Sequence, residues 1–186
     1  MTEEIQKTFD QLQLGNTILY PTDTVWGLGC DATNSEAIAK IYALKRREES
    51  KALICLVSDV RMLERYIENI PEVAYQLLEA ADRPTTIIYD HPVGIAKNLV
   101  AADNTLAIRI PDDEFCQKLI RKFKRPIVST SANISGQPTP KSYKEISAEI
   151  INDVDYVVNL QSKKNNSKPS TIIQLRSSGE IKIIRS

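Results

Sequence analysis

The run ALICLV (52–57) contains no polar residue, so it offers no face that water can cover. A strand of this kind is stable only when both of its faces are buried, which demands a sheet packed against other layers. TILY (17–20), TTIIY (85–89), TLAIRI (105–110), PIVS (126–129) and DYVV (155–158) read as further strands. Between them, apolar residues recur at helical spacing. Ile5, Phe9 and Leu12 form one stripe, which Gly15 can end. Ile38, Ile41 and Tyr42 form another, with Asn34 or Ser35 as its cap. Ala74, Leu77, Leu78 and Ala81 follow Pro71, which suits a first helical turn. Phe115, Cys116, Leu119, Ile120 and Phe123 complete the set, and Ser142 with Glu145 gives a capping-box pattern before Ile146 and Ile150. TIIQL (171–175) and EIKII (180–184) then follow each other across RSSG, a hairpin turn. Strands and helices that alternate, but end in consecutive strands, predict an α/β fold with a mixed sheet and packed helices, not a purely parallel sheet. At 186 residues the chain is expected to form one domain over 1–186. The polar segment QSKKNNSKPS (161–170) fits either a disordered loop or a mobile cover over a site.

Charge and cysteine usage narrow the functional classes. Lys and Arg number 24, as do Asp and Glu, so no global field draws the chain to nucleic acid or membrane. No run approaches the roughly 20 apolar residues of a membrane span, and MTEEIQKTF is too acidic for a secretory signal. A cytoplasmic protein without membrane contact is expected. Cys30, Cys55 and Cys116 lie far apart, which speaks against a zinc site or disulfide framework and for partly buried thiols in a reducing compartment; no metal site is predicted. His91 is the one histidine, in the turn-like YDHPVG, which argues against a Ser-His-Asp triad. Neither a Walker A pattern nor GxGxxG is present.

Polar groups collect instead at strand ends, where open α/β sheets place ligands. Successive strand residues alternate faces, so Thr105, Ala107 and Arg109 share a face opposite Leu106, Ile108 and Ile110. Thr22 and Thr24 share one if the chain stays extended, and so do Ser129 and Ser131, with Thr130 opposite. Such hydroxyls fit either the lining of a pocket or the satisfaction of nearby backbone groups. In LKRREESKALI, Lys45 and Arg47 would diverge by about 200° on a helix but point the same way in extended chain past its end. With Lys51 they fit a polyphosphate clamp. The default account is a solvated helix terminus neutralised by Glu48 and Glu49.

Taken together, YPTDTVWGLGCDA, the Lys45-x-Arg47 pair with Lys51, LAIRIP, STSANISGQPTP and PSTII resemble the YrdC-like threonylcarbamoyl-AMP synthases, in the family's order and over residues 20–185. The resemblance implies a twisted mixed sheet with packed helices around a large, positively lined cavity. It also implies synthesis of L-threonylcarbamoyladenylate and pyrophosphate from L-threonine, bicarbonate or CO2, and ATP with Mg²⁺. By position, Thr24, Arg109, Ser129, Ser170 and Thr171 correspond to threonine-site residues. Lys45, Arg47, Lys51, Thr105, Ser131, Asn133, Thr139 and Arg185 correspond to the ATP site, with Lys45 and Arg47 the catalytic pair, both expected to be exposed at a helix end. The implied partners are downstream tRNA threonylcarbamoyl-transfer proteins, with weak direct contact to tRNA. The chain departs from the family at Arg46 and Glu48, where Gly and Pro are common, at DRPTT, and in a glycine-free loop before PSTII. The alternative is an RNA-binding module of the same fold without adenylate synthesis, against which stand the zero net charge and the lack of an aromatic stacking platform.

Overall fold

The computed structural model describes residues 1–47, 53–160 and 169–186. The helix at the start, α1 (Thr2–Gln13), turns Ile5, Thr8 and Leu12 inward, and Gly15 after it takes φ +74°. Then come β1 (Ile18–Tyr20), β2 (Gly27–Gly29), α2 (Ser35–Lys45), β3 (Ile54–Leu56), α3 (Val60–Leu63), α4 (Glu72–Glu79), β4 (Thr85–Asp90) and β5 (Thr105–Arg109). They are followed by α5 (Glu114–Phe123), β6 (Ile127–Ser131), α6 (Ala148–Asp153), β7 (Tyr156–Val157), β8 (Thr171–Leu175) and β9 (Ile181–Arg185).

The strands form one sheet in the order β7-β1-β2-β6-β3-β5-β4-β8-β9. β1 with β7, β3 with β5, and β4 with β8 run parallel. The other neighbours run antiparallel. The mixed α/β sheet expected from the alternation is therefore present. β3 lies at its middle, and Leu53, Cys55, Leu56 and Val57 are all buried, as an unbroken apolar run requires. Helix residues Ile38, Ile41, Leu119 and Ile120 pack with the strand residues Leu19, Leu28 and Val128 in the core. The hairpin also forms: Gly179 takes φ +88° and Arg176 N–H donates to Glu180 O at 2.9 Å. Among the described residues no helix is long and apolar enough to cross a membrane.

Several boundaries differ from expectation for local reasons. α4 starts after Pro71 and stops at Glu79, leaving Ala81 exposed, because Pro84 lies close downstream and disfavours continued helix. The Ser142–Glu145 pair closes only a single 3₁₀ turn, Tyr143–Glu145. α6 begins later, where the Ser147 hydroxyl accepts the Ile150 N–H at 3.5 Å. Of the two cap candidates for α2, Asn34 is the one used, accepting from the amides of Glu36 and Ala37. The three thiols are fully buried and free, and burial pushes all three pKa values up, so they are inert packing groups. Residues 161–168 of the polar segment lie outside the described residues.

Candidate functional site

The sheet leaves a cavity of about 300 Å³ between β2, β3, β4, β5 and β6, closed by the turn at Thr24–Val25 and by Pro169–Ser170. That is at the small end for ligand pockets. Arg47, Arg109 and Arg185 line it, and none of the described lining residues is acidic. A larger hollow of about 580 Å³ lies beyond Asp23, but Asp23, Glu79, Asp82 and Asp112 outweigh Arg83 in its lining, which does not suit a triphosphate.

The turn after β1 is built by hydroxyls. Thr22 Oγ accepts the Thr24 N–H at 3.1 Å and donates to Val25 O at 2.7 Å. The chain therefore does not stay extended here. Thr22 satisfies backbone, while Thr24 Oγ lies 3.0 Å from Thr22 Oγ and accepts from Arg109 Nη2 at 3.4 Å. Both readings of the hydroxyl pair apply, one to each residue. Arg109 is buried at the end of β5, where Nη1 donates to Asp23 Oδ1. The Asp112 N–H donates to Asp23 Oδ2 at 3.1 Å, and Arg109 Nε is buried without a hydrogen-bond partner among the described residues. Asp23 is a site residue that the sequence reading missed, because a lone Asp between two threonines reads as a turn former.

Ser129 and Ser131 both line the cavity, as period two requires. Thr130 lines it too, although the same rule sets it on the opposite face. Among the described residues, β3 pairs with β6 as far as Ser129. Across the cavity, Ser170 Oγ lies 2.8 Å from the buried Thr86 Oγ. Arg185 Nε and Nη2 both donate to Ser170 O, at 3.0 and 2.7 Å.

Lys45 and Arg47 do not share an orientation. α2 runs through Lys45 and ends in a left-handed residue, Arg46, at φ +49°. The Arg47 N–H then donates to Tyr42 O and the Arg46 N–H to Ala43 O, which closes the helix end. Arg47 reaches the cavity and Arg46 meets Glu149 at 3.0 Å on the outside. Lys45 turns inward and is only 1% exposed, contrary to the expected surface position. Its Nζ donates to Ser131 O at 2.5 Å and Asn133 O at 2.7 Å, while its own carbonyl accepts the Ser135 N–H at 2.9 Å. Burial, helped by the Arg47 charge, draws the Lys45 ammonium pKa down to about 8. Lys45 thus ties down the loop after β6 from below.

The cavity brings together Thr24, Arg47, Arg109, Ser129, Ser131, Thr139, Ser170 and Arg185. It does not include four other expected residues. Besides Lys45, Asn133 faces its own turn, where Nδ2 donates to Gln137 O at 2.7 Å. Thr105 is buried at the far end of β5 from Arg109 and donates to Asp103 at 2.7 Å. Thr171 begins β8 and its N–H donates to Pro84 O at 2.9 Å. Lys51 lies outside the described residues.

Comparison with known proteins bears on the fold and the family. The Sua5/YciO/YrdC family model, described as telomere recombination, matches residues 10–186. The chain is similar to the threonylcarbamoyl-AMP synthase of Vibrio cholerae serotype O1, at 33% identity over 95% of each chain. Similarity to that of Pseudoalteromonas translucida is 32% over 87% of each. Among solved structures, P. abyssi Sua5 complexed with L-threonine superposes with a TM-score of 0.85 at 28% identity, covering 92% of this chain. The match spans half, 50%, of that longer Sua5 chain. E. coli YciO shares the fold, with a TM-score of 0.86 over 100% of this chain and 90% of its own. The family match over residues 10–186, with 33% identity to a relative over 95% of each chain, shows that the chain belongs to the Sua5/YciO/YrdC family.

Proposed function

We propose that this chain is a threonylcarbamoyl-AMP synthase, a nucleotidyltransferase that joins L-threonine, bicarbonate-derived CO2 and ATP to give L-threonylcarbamoyladenylate and pyrophosphate. The observation that carries the reading is the pairing of a buried arginine with serine and threonine hydroxyls in a cavity whose described lining has cations but no acid. Threonine's amine attacks CO2, forming an N–C bond and releasing a proton. An oxygen of the resulting carbamate attacks the α-phosphorus in line, and the bond to the departing pyrophosphate breaks. Both steps need anions held together and charge neutralised more than they need a dedicated base.

In this reading Arg109 holds the threonine carboxylate through its planar fork. Thr24, Ser129 and Ser170 supply polar contacts to the amino acid. Arg47 and Arg185 face the phosphates, with Ser131 and Thr139 beside them, and Mg²⁺ enters on the ATP oxygens. Lys45 acts by fixing the carbonyls of Ser131 and Asn133, not by touching the nucleotide. Thr105 and Thr171 serve as strand-end supports. The product passes in the cytoplasm to proteins that transfer the threonylcarbamoyl group to tRNA.

Pyrophosphate release from ATP tests the assignment. It is expected to require both L-threonine and bicarbonate, and to be at least about a hundredfold slower with valine, whose missing hydroxyl leaves buried polar partners unpaired. Release that is indifferent to either co-substrate would sink the reading. Tight tRNA binding without turnover would favour the RNA-binding alternative.

A further inference from the structure

Arg109 comes with a neighbour that a threonine site does not need for its own sake. Asp23 and Arg109 are 6% and 4% exposed, so both charges are taken out of water. Such a pair adds little net stability, since desolvation offsets most of its attraction. Its geometry is more informative. Asp23 engages only Nη1. Nη2 reaches Thr24 Oγ at a long 3.4 Å, and Nε is buried with no hydrogen-bond partner among the described residues. A guanidinium offers parallel N–H pairs along its edges. With Nη1 taken, the edge left for a carboxylate is Nε with Nη2. Asp23 is itself held: its second oxygen accepts the Asp112 N–H at 3.1 Å, which ties the turn after β1 to the connection after β5. The buried, unpaired Nε is a standing cost that an arriving acceptor removes.

We propose that Asp23 is a positioning residue for carboxylate recognition. It pins Nη1 so that the Nε–Nη2 edge of Arg109 meets the α-carboxylate of L-threonine, a role that rests on the synthase reading above. Asp23 touches no substrate and acts through Arg109 alone.

Threonine binding is read by isothermal titration calorimetry. Titrations use L-threonine and L-threoninamide on the full chain, with pyrophosphate release measured in parallel. Asp23→Asn is expected to weaken threonine binding tenfold or more and to erase the preference for threonine over threoninamide. The KM for ATP should stay within about twofold, a split that general loosening of the fold would not produce. On an Arg109→Gln background, Asp23→Asn should change threonine affinity by less than twofold, because the group it positions is gone. A folded Asp23→Asn chain with wild-type threonine affinity overturns the proposal, and so does a tenfold further loss on the Arg109→Gln background. Should Asp23→Asn alone fail to fold, the double variant, which leaves no buried charge unpaired, is compared with Arg109→Gln alone: threonine affinities within twofold support the proposal and a tenfold difference overturns it. A wild-type chain that binds threonine but releases no pyrophosphate overturns the synthase reading alone.

Discussion

Arg46 shows how one dihedral angle separates two cations. At φ +49° and ψ +46° it occupies the left-handed region, which costs a residue with a β-carbon roughly 1 kcal/mol. Its exposed contact with Glu149, at 3.0 Å, returns only about 0.5 kcal/mol or less. Glycine, which is common here in the related synthases, takes this conformation without strain. Arg46→Gly is therefore expected to stabilise the fold by roughly 0.5–1 kcal/mol and to raise the melting temperature by about 2 °C in calorimetry. An unchanged or lower midpoint would mean that the turn is not strained as described. The same turn explains why an extended-chain argument misplaced Lys45. Charge and spacing were legible in LKRREES; the handedness of the residue between the two cations was not.

At the scale of elements, β2 went unread because its sequence, GLG, has neither alternation nor bulk. Glycine normally weakens a strand unless something approaches closely. Here something does. A β-carbon on Gly29 would lie 2.5 Å from Val128 O and 2.7 Å from the Tyr20 ring. Tyr20 covers the strand, and its hydroxyl donates to Val128 O at 3.1 Å. Gly29→Ala is expected to cost about 2–3 kcal/mol, at the upper range for overpacking, because backbone cannot yield as a side chain can. Urea denaturation measures this as a fall in midpoint at constant slope; a midpoint near wild type would show that β1 and β6 separate easily. α3 was missed for a different reason: at four residues it completes too little periodicity to be seen. The long amphipathic stripe of α5 and the unbroken apolar run of β3 were legible because burial acts there on many consecutive side chains.

For the molecule as a whole, the alternation of elements and the closing hairpin carried the mixed sheet, while the site depended on contacts that no local pattern encodes. Thr24, Arg47, Arg109, Ser129 and Ser170 come from five separate segments, and only the resemblance to a family linked them before the fold did. Asp23 and Thr86 were given no place in the site because each is one polar residue whose partner lies 86 or 84 positions away. The sheet that gathers these groups is uneven in burial. Cys55 and Leu56 of its central strand β3 are buried, with Ile54 half-buried beside the cavity, whereas every residue of β9 is exposed, including Ile181, Ile183 and Ile184. Yet β9 carries Arg185, whose guanidinium clasps Ser170 O at the cavity wall. Amide hydrogen exchange should resolve this contrast. Amides of β3 and β6 are expected to exchange only through global opening, and those of β9 through a local event several kcal/mol cheaper. Bound nucleotide should slow the β9 amides selectively, and equal protection of β9 and β3 in the free chain would contradict the gradient. One wall of the cavity is thus built on a strand exposed along its whole length, so if exchange follows the expected gradient, the cavity can open at that wall while the core stays closed.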